Sequence, residues 1–203
     1  MLCIIIPLIM KSSHVKASVS CYFRYKRQCP LISFERPIKS YISNPDIFVV
    51  NKKRMLIEIE VKVSMSDFKR DCLKRIWAYR KKMPDLYPMP YQFYYAVPDT
   101  LREKAITVIE GWKQEGKLCG KTGLVVVTPC NDIKFLGYND VWVAKTAPSN
   151  KNAKRLGLKE ITQMVINQSA TLCSCAKKVA KVDINPPVKP RKPKNPRRLR
   201  KIK

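Results

Sequence analysis

Residues 56–63 of this chain, "LIEIEVKV", put Glu58, Glu60 and Lys62 at alternate positions. In a strand, side chains two apart leave the same face about 6.5–7 Å from one another. One face would carry Ile57, Ile59, Val61 and Val63, and the other two carboxylates, an ammonium and Ser64. Carboxylates held that close repel unless positive charge lies beside them. Two readings satisfy the pattern: a solvent-washed sheet face on which Glu and Lys alternate for solubility, or a divalent-metal site with a lysine next to it. Asp46 bears on the choice. It opens the apolar run "IFVV", and a hairpin turn over residues 51–54 would lay it roughly opposite the Glu58–Glu60 region. Carboxylates from paired strands can then converge on one cation, and Mg²⁺ needs only one or two of them besides waters and substrate phosphates. Lys62 could hold a metal-bound water or offset the charge forming on phosphorus.

The elements that would position these groups follow from periodicity. "SSHVKASVSCYFRYKR" (12–27) reads as a helix with Ser12 or Ser13 as N-cap and Val15, Val19, Tyr22 and Phe23 as its apolar stripe. "LISFE" and "PDIFVV" read as strands, "NKKR" as a turn, and 55–63 as the returning strand of a hairpin. Ser64 offers an N-cap with Asp67 three residues on, opening a helix to about Lys82 with Phe68, Cys72, Ile76 and Tyr79 on its apolar side. Lys69, Arg70, Lys74, Arg75, Arg80, Lys81 and Lys82 fall on its other sides, and Pro84, Pro88 and Pro90 forbid its continuation. "YQFYYAV" (91–97) is a buried strand whose aromatics suit a core. Asp99 would cap a helix stopping near Gly116, then come strands at 123–128 and 141–147 and a last helix at about 158–182. The order is an α/β arrangement around a central mixed sheet flanked by helices.

Charge defines the partner. Against 15 Asp+Glu stand 41 Lys+Arg, a formal net charge of +26, in a chain of 203 residues. Such an excess favours a polyanion, because neutralising phosphates releases counterions; an anionic membrane surface comes second. Membrane docking is the weakest reading, since no amphipathic helix with a large apolar face accompanies the charge. The division expected is an apolar N-terminal segment (1–11), a domain over 12–147, a helical extension over 148–184 and an arm over 185–203. The arm interleaves five prolines with nine basic residues and no acid over 186–203, a composition that favours disordered or extended chain. Arg191, Lys192, Arg197 and Arg198 there, with Lys69, Arg70, Lys74 and Arg75 on the central helix, are the candidate phosphate contacts. The apolar start is too short to span a bilayer and lacks the flanks of a signal peptide. The eight cysteines are scattered, no C-x-x-C occurs and His14 is the one histidine, against a structural zinc site. An intracellular protein with reduced thiols is expected, in the cytoplasm or at the nucleoid, or in a host cytoplasm for a phage product.

"NPDIFVV", "LIEIEVKVSMSDFKRD", "FYYAVPDTL" and "GLVVV" occur in that order over residues 44–127. Pro45–Asp46 followed by Glu60-Val61-Lys62 resembles the PD-(D/E)XK nuclease superfamily, and the four blocks together are most similar to the MmcB-like DNA-repair proteins and their phage-borne relatives. The resemblance implies a restriction-endonuclease-like core of order αβββαβ followed by further helix and strands. It implies Asp46 and Glu60 as ligands of Mg²⁺ (or Mn²⁺), the Val61 carbonyl as a third, and Lys62 as the catalytic lysine. Glu35 would be an accessory acid, and Ser64, Asp67 and Asp71 site support, the first two serving chiefly as helix cap. The activity implied is a metal-dependent endonuclease or exonuclease acting on DNA in repair, recombination or phage DNA processing, with DNA as partner, branched and damaged forms included among the options with plain duplex, nicked and single-stranded DNA, and room for a homodimer. The alternative is a non-catalytic, basic nucleic-acid-binding protein that retains the fold.

Overall fold

The computed structural model describes residues 10–34, 44–129 and 140–183, with side chains as far as residue 170. The chain divides into two units, Met1–Gln168 and Ser169–Lys203. In the first, the apolar runs form β1 (Leu31–Phe34), β2 (Ile47–Val50), β3 (Leu56–Val61), β4 (Gln92–Pro98), β5 (Gly123–Thr128) and β6 (Asp140–Lys145). They make one open sheet in the order β1-β2-β3-β4-β5-β6. β3, β4 and β5 run parallel, and the other neighbours are antiparallel. The expected mixed sheet with flanking helices and the order αβββαβ are what the chain adopts.

Helices cover both faces. α1 (Ser12–Cys21), continued by a π-helical turn over Tyr22–Lys26, lays Val15, Val19 and Phe23 on Ile57, Ile59, Val61, Tyr94 and Val125. Its N-cap is Lys11 rather than a serine, and no side chain caps it; the hydroxyl of Ser18 instead bonds back to the His14 carbonyl. On the opposite face, α2 (Met65–Arg70), α3 (Arg75–Lys82) and α4 (Arg102–Gln114) pack Phe68, Trp77, Ile109 and Trp112 against Phe93, Tyr95, Val97 and Leu124. Phe68 lies 5.4 Å from Trp112 in a stacked pair and 4.8 Å from Tyr95, so the aromatics of "YQFYYAV" are core. α5 begins at Leu158 and runs to Asp183, which carries it into the second unit. Within the first unit Leu156 and Met164 close over Phe48, Val50 and Leu56.

The β2–β3 hairpin turns as expected. Arg54 adopts φ 60°, and the Asn51 side-chain oxygen accepts from the N–H groups of Lys53 and Met55 at 2.9 and 3.0 Å, an Asx-type closure. Three expectations need correction. The helix expected over 65–82 is broken: α2 ends at Arg70, a 3₁₀ turn spans Asp71–Leu73, and Lys74 is extended (φ −59°, ψ 134°) before α3 begins. Within α3, Arg80 is buried while Tyr79 is exposed, the reverse of the expected stripe. Asp99 opens a 3₁₀ turn over Asp99–Leu101 and pairs with Arg102 at 3.4 Å, and Leu101 is the N-cap of α4. That helix does end as expected, with Gly116 at φ 68° just past it.

Candidate functional site

The acidic face of β3 is not washed by solvent. Glu58 is buried, and both its oxygens accept from Arg80 Nη2, at 2.8 and 2.7 Å, with each side chain 1% exposed. The guanidinium also lies 5.5 Å from the Trp77 ring and 6.0 Å from that of Phe93. A carboxylate buried without a cation is too costly to persist, so Arg80 completes Glu58 as a structural pair. Counting Arg80 with the solvated basic residues missed this partner, because nothing in the local sequence pattern shows that Glu58 is buried.

Glu60 and Lys62 stand at the carboxyl end of β3, beside the carboxyl ends of the parallel strands, where open α/β sheets leave a crevice for ligands. The Lys62 N–H continues the ladder to the Ala96 carbonyl at 2.9 Å. The β2–β3 register pairs Ile47 with Ile59, and one step beyond sets Asp46 opposite Glu60. Asp46 Oδ2 accepts from the Val61 N–H at 2.8 Å, and its Oδ1 meets Lys16 Nζ, from α1, at 2.8 Å. Lys62 is 4% exposed, and its ammonium lies among three carboxylates: Asp71 Oδ1 at 2.9 Å, Asp67 Oδ2 at 3.4 Å and Glu60 Oε2 at 3.7 Å.

The break after α2 turns Asp71 and Lys74 inward. Asp71 is 1% exposed; its Oδ2 accepts from the Tyr95 hydroxyl at 2.7 Å and from Trp77 Nε1 at 3.4 Å. Lys74 Nζ bridges Glu60 Oε1 at 3.0 Å and Asp71 Oδ1 at 2.8 Å. The Ser64 hydroxyl caps α2 by accepting from the Asp67 N–H at 3.3 Å. Lys69, Arg70 and Arg75 are exposed on the same helices. Asn44, Glu58, Glu60, Asp71, Lys74 and Trp77 are among the residues lining a cavity of about 250 Å³. Glu35, Arg191, Lys192, Arg197 and Arg198 lie outside the described residues.

Electrostatics follow the packing. Burial pushes the Glu60 carboxyl up to about 7, with Asp71 and Asp46 adding to the rise and Lys74 and Lys62 opposing it. Burial would raise Asp71 as well, but Lys74 and Lys62 outweigh it and hold that carboxyl below its ordinary value. For Lys74 the desolvation cost is outweighed by Glu60 and Asp71, which raise it. Burial, then Asp71, raises the Tyr95 hydroxyl, which therefore stays the donor of its bond to Asp71. Around Glu60 stand the carboxylates of Asp46, Asp67 and Asp71 and the ammoniums of Lys16, Lys62 and Lys74, so with Glu60 itself four acids face three cations.

Among the described residues no cluster of three or more His, Cys, Asp or Glu side chains is gathered as a metal centre. The demand of a hard divalent ion is smaller: one or two carboxylates, a carbonyl and waters. Asp46, Glu60 and the Val61 carbonyl fit that demand by type. The register that sets Asp46 opposite Glu60 is the observation in favour, while Lys16 and Lys74 are the cations already seated on these acids.

No family model and no curated protein matches the chain. Among solved structures it is similar to the SPO1766 protein of unknown function from Silicibacter pomeroyi, with 14% identity, a TM-score of 0.50, and 88% of this chain and 97% of that chain covered. The likeness is one of fold.

Proposed function

We propose that the protein is a Mg²⁺- or Mn²⁺-dependent DNA nuclease of the PD-(D/E)XK kind, related to the MmcB-like proteins. The observation that carries the reading is Lys62: a lysine 4% exposed at the carboxyl end of β3, with Glu60 beside it and Asp46 across the hairpin. Burying an ammonium among carboxylates is weak for stability. Asp46, Glu60 and the Val61 carbonyl would hold the ion, which when bound would supply a polarised water and positive charge at the phosphate. Lys62 keeps a fixed positive charge where negative charge develops on phosphorus. Asp71, itself held by Tyr95 and Trp77, orients Lys62. Lys69, Arg70 and Arg75, exposed beside the site, bind backbone phosphates with no preference for sequence. The protein then works where DNA is, inside a cell; among the described residues no helix is long and apolar enough to cross a membrane.

A second reading, a DNA-binding protein without catalysis, draws on the ammoniums of Lys16 and Lys74, which neutralise Asp46 and Glu60 with no metal. Incubation with duplex, nicked, branched and single-stranded DNA, with Mg²⁺, with Mn²⁺ and with EDTA, separates the two. Cleavage that needs the metal and is lost in Glu60→Gln supports the nuclease. Tight binding with intact DNA under every condition supports the second reading.

A further inference from the structure

Lys74 bridges two carboxylates from different elements. One ammonium lies 3.0 Å from Glu60 Oε1 and 2.8 Å from Asp71 Oδ1, bridging a carboxylate from β3 to one from the 3₁₀ turn. Asp71 comes to that point already aimed. It is 1% exposed, Tyr95 and Trp77 occupy its Oδ2, and among the described residues its Oδ1 has no partner but the Lys62 and Lys74 ammoniums. The Lys74 side chain is 43% exposed, on an extended residue between two helices, at the edge of the 250 Å³ cavity.

We propose that Lys74 stands in for the divalent cation, which in the loaded protein replaces its ammonium between Glu60 and Asp71. Asp71 is thereby a metal ligand beside Glu60, and Lys74 is the ion's internal competitor; the assignment rests on the metal-site reading above. Both carboxylate oxygens already lie within reach of one point, and moving from ammonium contacts to Mg²⁺ contacts of about 2.1 Å asks each to close by less than 1 Å. Coulomb attraction scales with charge, so a doubly charged ion gains more from two buried carboxylates than a single ammonium does. Displaced, the Lys74 ammonium has solvent on its open side.

The test is calorimetric titration of the full-length chain with Mn²⁺, comparing wild type with Lys74→Met, Asp71→Asn, Glu60→Gln and Lys69→Met. Lys74→Met should bind Mn²⁺ about tenfold tighter and Asp71→Asn about tenfold weaker than wild type. Lys69→Met makes the same charge change on the preceding helix and should stay within about twofold, since an exposed charge acts through screened solvent. Melting gives an independent measure: Lys74→Met should melt below wild type in EDTA and gain more from Mn²⁺ than wild type gains. Should Asp71→Asn fail to fold, Lys74→Met and its melt decide alone. Lys74→Met binding no tighter than wild type, or Lys69→Met tightening equally, overturns the proposal, as does a folded Asp71→Asn with wild-type affinity. Loss of binding in Glu60→Gln alongside an unchanged Lys74→Met would sink only this assignment. No Mn²⁺ binding by any of the proteins would sink the metal reading with it.

Discussion

Asp46, Glu60 and Lys62 differ in what surrounds them, so their substitutions should differ in what they change. Asp46→Ala and Glu60→Ala each remove a carboxylate from the site, and metal-dependent cleavage should be abolished while DNA binding is retained or tightened, a repulsive charge being gone. Full activity in both would reject the assignment. Lys62→Ala should lower turnover with little change in metal affinity; a large loss of metal binding would mean that the lysine has another role. Glu60 also makes a pH prediction. In the metal-free protein its carboxyl is raised from 4.5 to about 7, so the folded state holds the proton more tightly than the unfolded state does. Stability therefore falls as pH rises from 4.5 to about 7 and levels off above, where the carboxylate is charged in both states. Melting temperatures in EDTA should show Glu60→Gln gaining on wild type across that window. A difference between the two proteins that is flat with pH would contradict the burial argument.

At the scale of elements, the break between α2 and α3 is what assembles the site. Had residues 65–82 formed the single helix that the sequence suggested, Asp71 and Lys74 would lie on a continuous helical surface. The 3₁₀ turn and the extended Lys74 instead bring Asp71 to 2.9 Å from Lys62 and Lys74 to 3.0 Å from Glu60. Nothing in the local pattern announces that break: "DCLK" contains neither glycine nor proline, and the inward pull is the tertiary attraction of Lys62, Tyr95 and Trp77 for one carboxylate. The strands were legible, because alternation of apolar residues is a local signal, and so was the Ser64 cap. Arg80 was not legible, since a stripe computed along one helix cannot show a buried acid on a strand 22 residues earlier. Its role predicts that Arg80→Ala, by removing the guanidinium that holds both oxygens of the buried Glu58, costs about 3–5 kcal/mol in denaturant unfolding. Replacing both partners together, Glu58→Leu with Arg80→Met, should recover most of that loss. A single Arg80→Ala as stable as wild type would show that Glu58 can reach water.

For the whole molecule, the distribution of charge separates binding from chemistry. Residues 186–203 carry nine basic residues and no acid, whereas the proposed catalytic residues precede residue 72. A proline-interleaved basic sequence offers point charges to phosphates but no rigid fork to base edges. If four to six of those charges meet duplex phosphates, truncation to residues 1–185 should make the slope of log K against log salt shallower by about 4–5, at about 0.9 per contact. Turnover at saturating DNA should be nearly unchanged. Identical slopes for the two proteins would show that the arm does not touch DNA.

The strand order β1 to β6 places every strand beside its neighbour in the chain, and this has a consequence for synthesis. Lys16, Asp46, Glu60, Lys62, Asp71, Lys74 and Tyr95 all belong to the stretch from α1 to β4. A ribosome therefore releases the whole constellation before β5 exists. The pocket's acids acquire their compensating lysines from segments already emerged, and the later strands join by edge addition to a nascent layer. A chain stalled after β4 would hold every charged group of the site but lack Leu124, Val126 and the α4 residues Ile109 and Trp112, which clamp Phe68 and Tyr95 from the far side.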